Sequence, residues 1–178
     1  MGKKLLHGMG WAVRWANWIA AAVAAALLVF IAVSVFYEVI ARYVMRAPSR
    51  WTYELTGYAL VWCALLASGQ ALAQGAHVYV DLIYERLSPL LARLTNILTC
   101  LVGLGFCAFI LWYGLNMTRV AILIDQRSPT PLRFPMQYAF AAVPAGMVFL
   151  LLEFFRRLMF EIFDPQPPAT ASTTEAAE

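Results

Sequence analysis

"WANWIAAAVAAALLVFIAVSVFY", residues 15–37, holds no charged side chain over 23 positions. About 20 residues of helix cross the ~30 Å hydrocarbon core of a bilayer, so this run predicts a membrane span. Its flanks agree, with Lys3, Lys4 and Arg14 before it and Glu38 and Arg42 after it. The apolar part of a cleaved signal peptide is only about 7–15 residues long and ends at a small-residue site. No polar exit of that kind follows Tyr37, so the run reads as a retained anchor.

Three more uncharged runs follow, 55–76, 94–118 and 134–152, of 22, 25 and 19 residues. A bare backbone group finds no hydrogen-bond partner in lipid, which leaves helices or closed barrels as spanning structures. A barrel needs alternating strands of about ten residues, and these runs are continuous. The reading is an all-α integral membrane protein with four transmembrane helices and a short interfacial amphipathic helix. The four-span domain covers 1–164, with spans at 15–44, 51–76, 89–118 and 134–160, and the interfacial helix covers 77–88. The segment 165–178, rich in Pro, Ala and Thr without an apolar period, reads as a disordered tail.

Composition agrees. Charged residues make up 13% of the chain, against about 25% in soluble domains. The length leaves no room for a separate soluble enzyme, and no basic cluster suggests nucleic acid. Cys63, Cys100 and Cys107 all fall in apolar runs without a C-x-x-C spacing, which argues against a redox or zinc site. Breakers fall between the runs. Pro48 and Ser49 separate the first two spans, Ser88 and Pro89 make a good helix start, and "RSPTPLRFP" (127–135) is a non-helical connector. Pro135 opens the fourth helix, and Pro144 inside it predicts a kink.

Charges near spans need a reason. Glu38 and Arg42 stand at i, i+4 at the end of the first helix, and Arg46 continues that face. Arg50, Trp51 and Glu54 open the second helix, where the helix dipole favours the Glu54 anion. In "AHVYVDLIYERLSP" (76–89), His77, Asp81 and Glu85 form one polar stripe among apolar and aromatic residues. That pattern fits a helix lying in the interface. A metal site needs more ligands than this, and no span carries a His as an axial haem ligand. No catalytic, cofactor or metal residue is therefore assigned. No acidic residue sits inside an uncharged run, so a substrate path through this chain's own core is not expected. Small residues mark the first two spans, among them Ala20, Ala24, Gly57, Ala64 and Ala67, and allow close helix packing within or between chains.

Four spans put both termini on one side. That side with 77–93 holds seven Lys and Arg residues and the other holds six, so the positive-inside rule does not decide orientation. Lys3 and Lys4 favour cytoplasmic termini.

In order along the chain, "RWTYEL" (50–55), "SGQALAQGAHVYVDLIYERL" (68–87) and "RSPTPLRFPMQYAFAAVPAG" (127–146) resemble the small membrane subunit of TRAP transporters. These are the tripartite ATP-independent periplasmic transporters, and the subunit is the DctQ-like component. The resemblance covers residues ~15–160 and includes Arg42 at the end of the first span. Pro129 and Pro131 stiffen the connector beyond the family's pattern. The resemblance implies a non-enzymatic permease subunit of a bacterial inner membrane. It would scaffold a large membrane subunit that takes up an organic acid, driven by sodium, from a periplasmic binding protein. The expected partner interface comprises Glu38, Arg42, Trp51, Glu54, Arg127, Ser128 and Pro135. A stand-alone four-helix scaffold or assembly factor is the main alternative, and a membrane enzyme with its site near residues 77–93 is another.

Overall fold

The computed structural model describes residues 2–74 and 89–163. The expected interfacial helix 77–88 and the tail 165–178 lie outside the described residues. The elements in order are α1 (Gly2–Tyr43), α2 (Thr52–Ala73), α3 (Pro89–Leu123), α4 (Met136–Phe140) and α5 (Ala142–Phe163). Four helical stretches are long and apolar enough to cross a membrane: Gly10–Tyr43, Thr52–Ala73, Arg93–Leu123 and Met136–Ile162. The last joins α4 and α5. The protein is an all-α membrane protein.

Helix ends follow backbone chemistry rather than charge. Lys3, Lys4 and Arg14 are tolerated in a helix, so α1 starts at Gly2, well before the uncharged run. At its other end α1 stops at Tyr43. Arg46, expected to continue the Glu38 and Arg42 face, instead lies beyond the helix with φ 51°. This left-handed residue turns the chain so that the Ala47 N–H reaches the Ala41 carbonyl at 3.0 Å. Pro48 then disfavours a helical Ala47. Helix α3 passes the exposed Arg119 and ends at Leu123, beyond the expected 118. Asp125, at φ 44°, closes it, and the Gln126 N–H donates to the Ala121 carbonyl at 2.9 Å. That is the six-to-one bond of a Schellman end. Pro144 has no N–H for the Phe140 carbonyl four residues back. The helix breaks there, at Ala141, while the flanking bonds from Ala141 to Gln137 and from Ala145 to Ala141 survive.

The helices form a row rather than a closed ring. Helix α2 lies between α1 and α5, and α3 joins through α5 and α4. Helix α5 alone touches α1, α2 and α3. On α1 the inward positions are Gly10, Val13, Asn17, Ala20, Ala24, Leu27, Ile31, Ser34, Glu38 and Ala41. Their spacing alternates three and four without a fault, the seam of left-handed helix pairs. Ala20 and Ala24 sit at its centre against Leu66, Trp62, Cys63 and Phe149. The small face of the first span is thus used within the chain at these two positions. The opposite face of α1 exposes Val29, Val33 and Phe36.

Glycines set how closely α5 approaches its neighbours. A Cβ on Gly146 would come within 2.5 Å of the Leu65 Cβ and 2.8 Å of the Leu65 carbonyl oxygen on α2. A Cβ on Gly103 of α3 would meet the Phe154 ring at 2.6 Å. Aromatic side chains mark the two membrane boundaries. Trp11, Trp15 and Trp18 are at least half exposed and form a ladder of tilted and edge-on ring contacts with centroids 5.7 and 5.8 Å apart. Near the other end stand Tyr37, Trp51, Trp112 and Tyr113, the belt expected of amphipathic rings.

Gly146→Ala is expected to lower the Tm of the detergent-purified protein, because the backbone of α2 must move. Overpacking of this kind costs ~1–3 kcal/mol. Gly105→Ala, with open space at its Cβ position, should leave Tm unchanged or raise it. Equal Tm values for the two variants would refute the close-approach argument.

Candidate partner interface

The seven expected interface residues gather at one end of the bundle, in two adjoining groups. The first rests on Glu38. Its Oε1 accepts from Arg42 Nη2 at 2.9 Å, and its Oε2 accepts from the Ser49 backbone N–H at 3.1 Å. The Ser49 hydroxyl also bonds this carboxylate and the Thr52 hydroxyl. One carboxylate therefore holds the loop between α1 and α2 from beneath. Trp51 covers it from the side, stacked on Tyr37 with centroids 5.8 Å apart. The i, i+4 ion pair is present as the spacing implied, and the loop contact is an addition that the spacing did not reveal.

The second group rests on Glu54, which is buried in the first turn of α2. Tyr58 donates its hydroxyl to Oε1 at 2.8 Å, and the Thr130 hydroxyl bonds Oε2. Ser128, also buried, shares a 2.9 Å hydroxyl contact with Thr130. Ser128 additionally donates its backbone N–H to the Phe134 carbonyl at 2.9 Å. Phe134 stacks on Tyr58 at 5.0 Å. The proline-rich connector is thereby pinned onto the start of α2, and the Arg127 to Pro135 bridge closes its neck. Arg127 itself points outward and pairs with Asp125 at 3.1 Å. Pro135 caps α4 with an extended backbone.

Most polar atoms of the expected interface are thus engaged inside the chain. The Arg42 and Arg127 side chains remain more than half exposed. An open groove of about 510 Å³ runs between α3 and the α4–α5 span, lined by Tyr113, Gly114, Asn116, Gln126, Phe140 and Val143 among others. The polar stripe of His77, Asp81 and Glu85 lies outside the described residues. Among the described residues, no three His, Cys, Asp or Glu side chains come together in a way that would hold a metal.

The other end carries a cluster that sequence reasoning missed. Glu153 is fully buried although it lies within the fourth span. Arg156 donates to it through Nε at 3.0 Å, and Arg157 Nε lies 3.7 Å away. Asn17, equally buried, donates its amide to Glu153 Oε2 at 3.1 Å. The Asn17 oxygen faces the bare Cα of Gly69, where an added Cβ would stand only 2.7 Å from it. That oxygen is buried and has no hydrogen-bond partner among the described residues. Arg157 also donates to the Leu72 carbonyl at the end of α2. One carboxylate so connects α5 to α1 directly and to α2 through Arg157. Nearby, Arg93 of α3 donates to the Glu161 and Ile162 carbonyls at 3.2 Å, capping α5. The signal was present as Glu153 three and four residues before Arg156 and Arg157, with Asn17 as the polar residue inside an uncharged run. Glu153 ends the uncharged run 134–152 but lies inside the expected span 134–160, and the run, not the span, was searched for buried charge. With two arginines on it, Glu153 is a structural ion-pair partner.

Removing one member of a buried ion pair leaves the rest uncompensated and costs about 3–5 kcal/mol. Glu153→Leu should therefore abolish or strongly lower the folded yield. The double variant Glu153→Leu with Arg156→Met should recover part of it, measured as monodisperse protein after detergent extraction. At the opposite end, Glu54→Ala should speed amide hydrogen exchange across residues 127–135 several-fold and leave α5 unaffected. An unchanged connector would contradict its pinning by Glu54.

Comparison with known proteins agrees with this architecture. The family model described as "Tripartite ATP-independent periplasmic transporters, DctQ component" matches residues 31–162. A curated relative, the isethionate TRAP transporter permease protein DctMQ of Oleidesulfovibrio alaskensis, is 23% identical over 139 residues. The match spans 77% of this chain and 22% of that protein, so the chain corresponds to about a fifth of its relative's length. With four apolar spans and a family match across most of them, the chain belongs to the DctQ family of TRAP transporter components.

Proposed function

We propose that this chain is the small permease subunit of a TRAP-type secondary transporter. It scaffolds a large membrane subunit that takes up an organic acid, delivered by a periplasmic binding protein and driven by sodium. The observation that carries the reading is the family match over residues 31–162. The relative's name joins both permease letters, and the match to 22% of its length supports a role beside a larger membrane component. The chain's own chemistry fits a scaffold. Its buried carboxylates, Glu54 and Glu153, are engaged by Tyr58, Thr130, Asn17 and the arginines. Neither is free to bind a cargo ion. The outer flanks of α1 and α3 expose broad apolar faces, including Phe36, Leu98, Val102 and Phe106. Such faces suit lipid on one side and helices of a partner on the other.

In this reading the interface includes Arg42, Arg127 and the α3 groove, with Glu38, Trp51, Glu54, Ser128 and Pro135 fixing the backbone that presents them. The protein resides in a bacterial inner membrane with both termini cytoplasmic.

Deleting this subunit while leaving the large permease in the membrane should reduce uptake of the transported acid to near background. The binding protein's affinity for that acid should stay the same. Uptake at the wild-type rate would refute the scaffold role. In intact cells a membrane-impermeant maleimide should label Ala47→Cys and reach Gly8→Cys only after permeabilisation. The reverse pattern would invert the orientation.

A further inference from the structure

The first 37 residues carry Lys3, Lys4 and Arg14 and no carboxylate. Arg14 stands among the tryptophans of the ladder, three residues after Trp11, one before Trp15 and four before Trp18. Residues three and four apart are neighbours on a helix surface. Arg14 is exposed, and its guanidinium makes no hydrogen bond, ion pair or ring contact with another described residue. The indole N–H groups of Trp11, Trp15 and Trp18 likewise have no acceptor among the described residues. By contrast, Trp62 donates its indole N–H to the Tyr138 carbonyl at 3.0 Å. Arg93, Arg156 and Arg157, at the same end as Arg14, bond carbonyls or Glu153.

Arginine and indole nitrogens donate hydrogen bonds and accept none. The outward face of α1 over residues 11–18 is therefore a surface of donors, one of them cationic. Its backbone is held from behind, where Gly10 packs on Phe160 and Asn17 bonds Glu153 at 3.1 Å. The ring contacts at 5.7 and 5.8 Å hold the indoles relative to one another. Donors placed in advance lose little conformational freedom on binding. Exposed tryptophans of a spanning helix sit at the level of the lipid headgroups. The acceptors found there are phosphates and ester carbonyls. A guanidinium grips a phosphate through two parallel hydrogen bonds. A headgroup that also carries an ammonium brings donors for which this face has no acceptor. A headgroup of phosphate and hydroxyls brings a net negative charge and no such mismatch.

We propose that Arg14, with Trp11, Trp15 and Trp18, binds the headgroup of an anionic phospholipid of the phosphatidylglycerol type in the leaflet nearest the termini. Such a site needs only that α1 crosses the membrane, whatever the chain helps to transport. Attraction of this kind weakens as salt rises.

The test is native mass spectrometry of the full chain in a neutral detergent. It is titrated with phosphatidylglycerol or with phosphatidylethanolamine of the same acyl chains, and the first bound lipid is read. Phosphatidylglycerol should bind about fivefold more tightly or better, the worth of one basic residue at an anionic surface. Arg14→Gln should bring it down to the phosphatidylethanolamine value, and Arg14→Lys should keep part of the preference. Trp11→Phe, Trp15→Phe and Trp18→Phe together keep the rings and remove the donors, and should also weaken phosphatidylglycerol binding. Arg14 contacts no other described residue through its guanidinium, so Arg14→Gln should keep the wild-type Tm. Arg46→Gln with Arg50→Gln, at the other end of the bundle, should leave the preference intact. Equal affinity of the wild-type chain for the two lipids would overturn the proposal. So would a preference that survives Arg14→Gln, or one lost only in the Arg46 and Arg50 variant. Displacement of the lipid by glycerol 3-phosphate as readily as by phosphatidylglycerol would mark a site for soluble anions and overturn it too.

Discussion

A hydrocarbon surrounding offers no partner to a polar group and no gain to an apolar one that leaves it for a protein contact. Nearly every feature of this chain answers that constraint. Helices satisfy their own backbones, glycines bring α5 close enough for dispersion forces to act, and the polar side chains that remain are placed at the two ends. Glu153 is the sharpest case. Its carboxylate is fully buried, and it holds Asn17, Arg156 and Arg157 in one connected group. Without it, the three helices that meet there would face one another across unpaired charge.

The order of the helices follows from α5. A helix that touches three neighbours must be narrow on several faces, and Gly146 supplies this towards α2. Towards α3 the narrow partner is Gly103, which accepts the Phe154 ring. The outer helices, α1 and α3, need a packed face on one side only and keep long apolar flanks on the other. A row of this shape adds breadth to whatever it joins.

Much of the fold was legible because charge is rare in this chain and so marks each span. The same rule misplaced the details. Lysine and arginine interrupt an apolar run without interrupting a helix, so α1 begins at Gly2 and α3 continues past Arg119. Glu153 ends an uncharged run, yet the helix continues past it. At the candidate interface, Glu38 with Arg42 could be read from a four-residue spacing. Glu54 with Thr130 could not, since 76 residues separate them and only the folded connector brings them together. Nor does a local pattern announce that Arg46 and Arg133 take left-handed backbones, because that is imposed by contacts around them.

The tryptophan ladder on α1 has a consequence for the membrane itself. Trp11, Trp15 and Trp18 are separated by four and three residues, so together they span about 10 Å along a helix rising 1.5 Å per residue. The whole helix, at about 63 Å, is roughly twice the ~30 Å of the hydrocarbon core. Tilting alone, which averages about 20° and reaches 40°, does not bring it inside. Natural bilayers differ in thickness by a few ångströms. In a thinner one the headgroups meet Trp18, and in a thicker one they meet Trp15, about 4.5 Å further along the helix. The helix works as a graduated mooring: the waterline moves from rung to rung while the seam against α2 stays where it is.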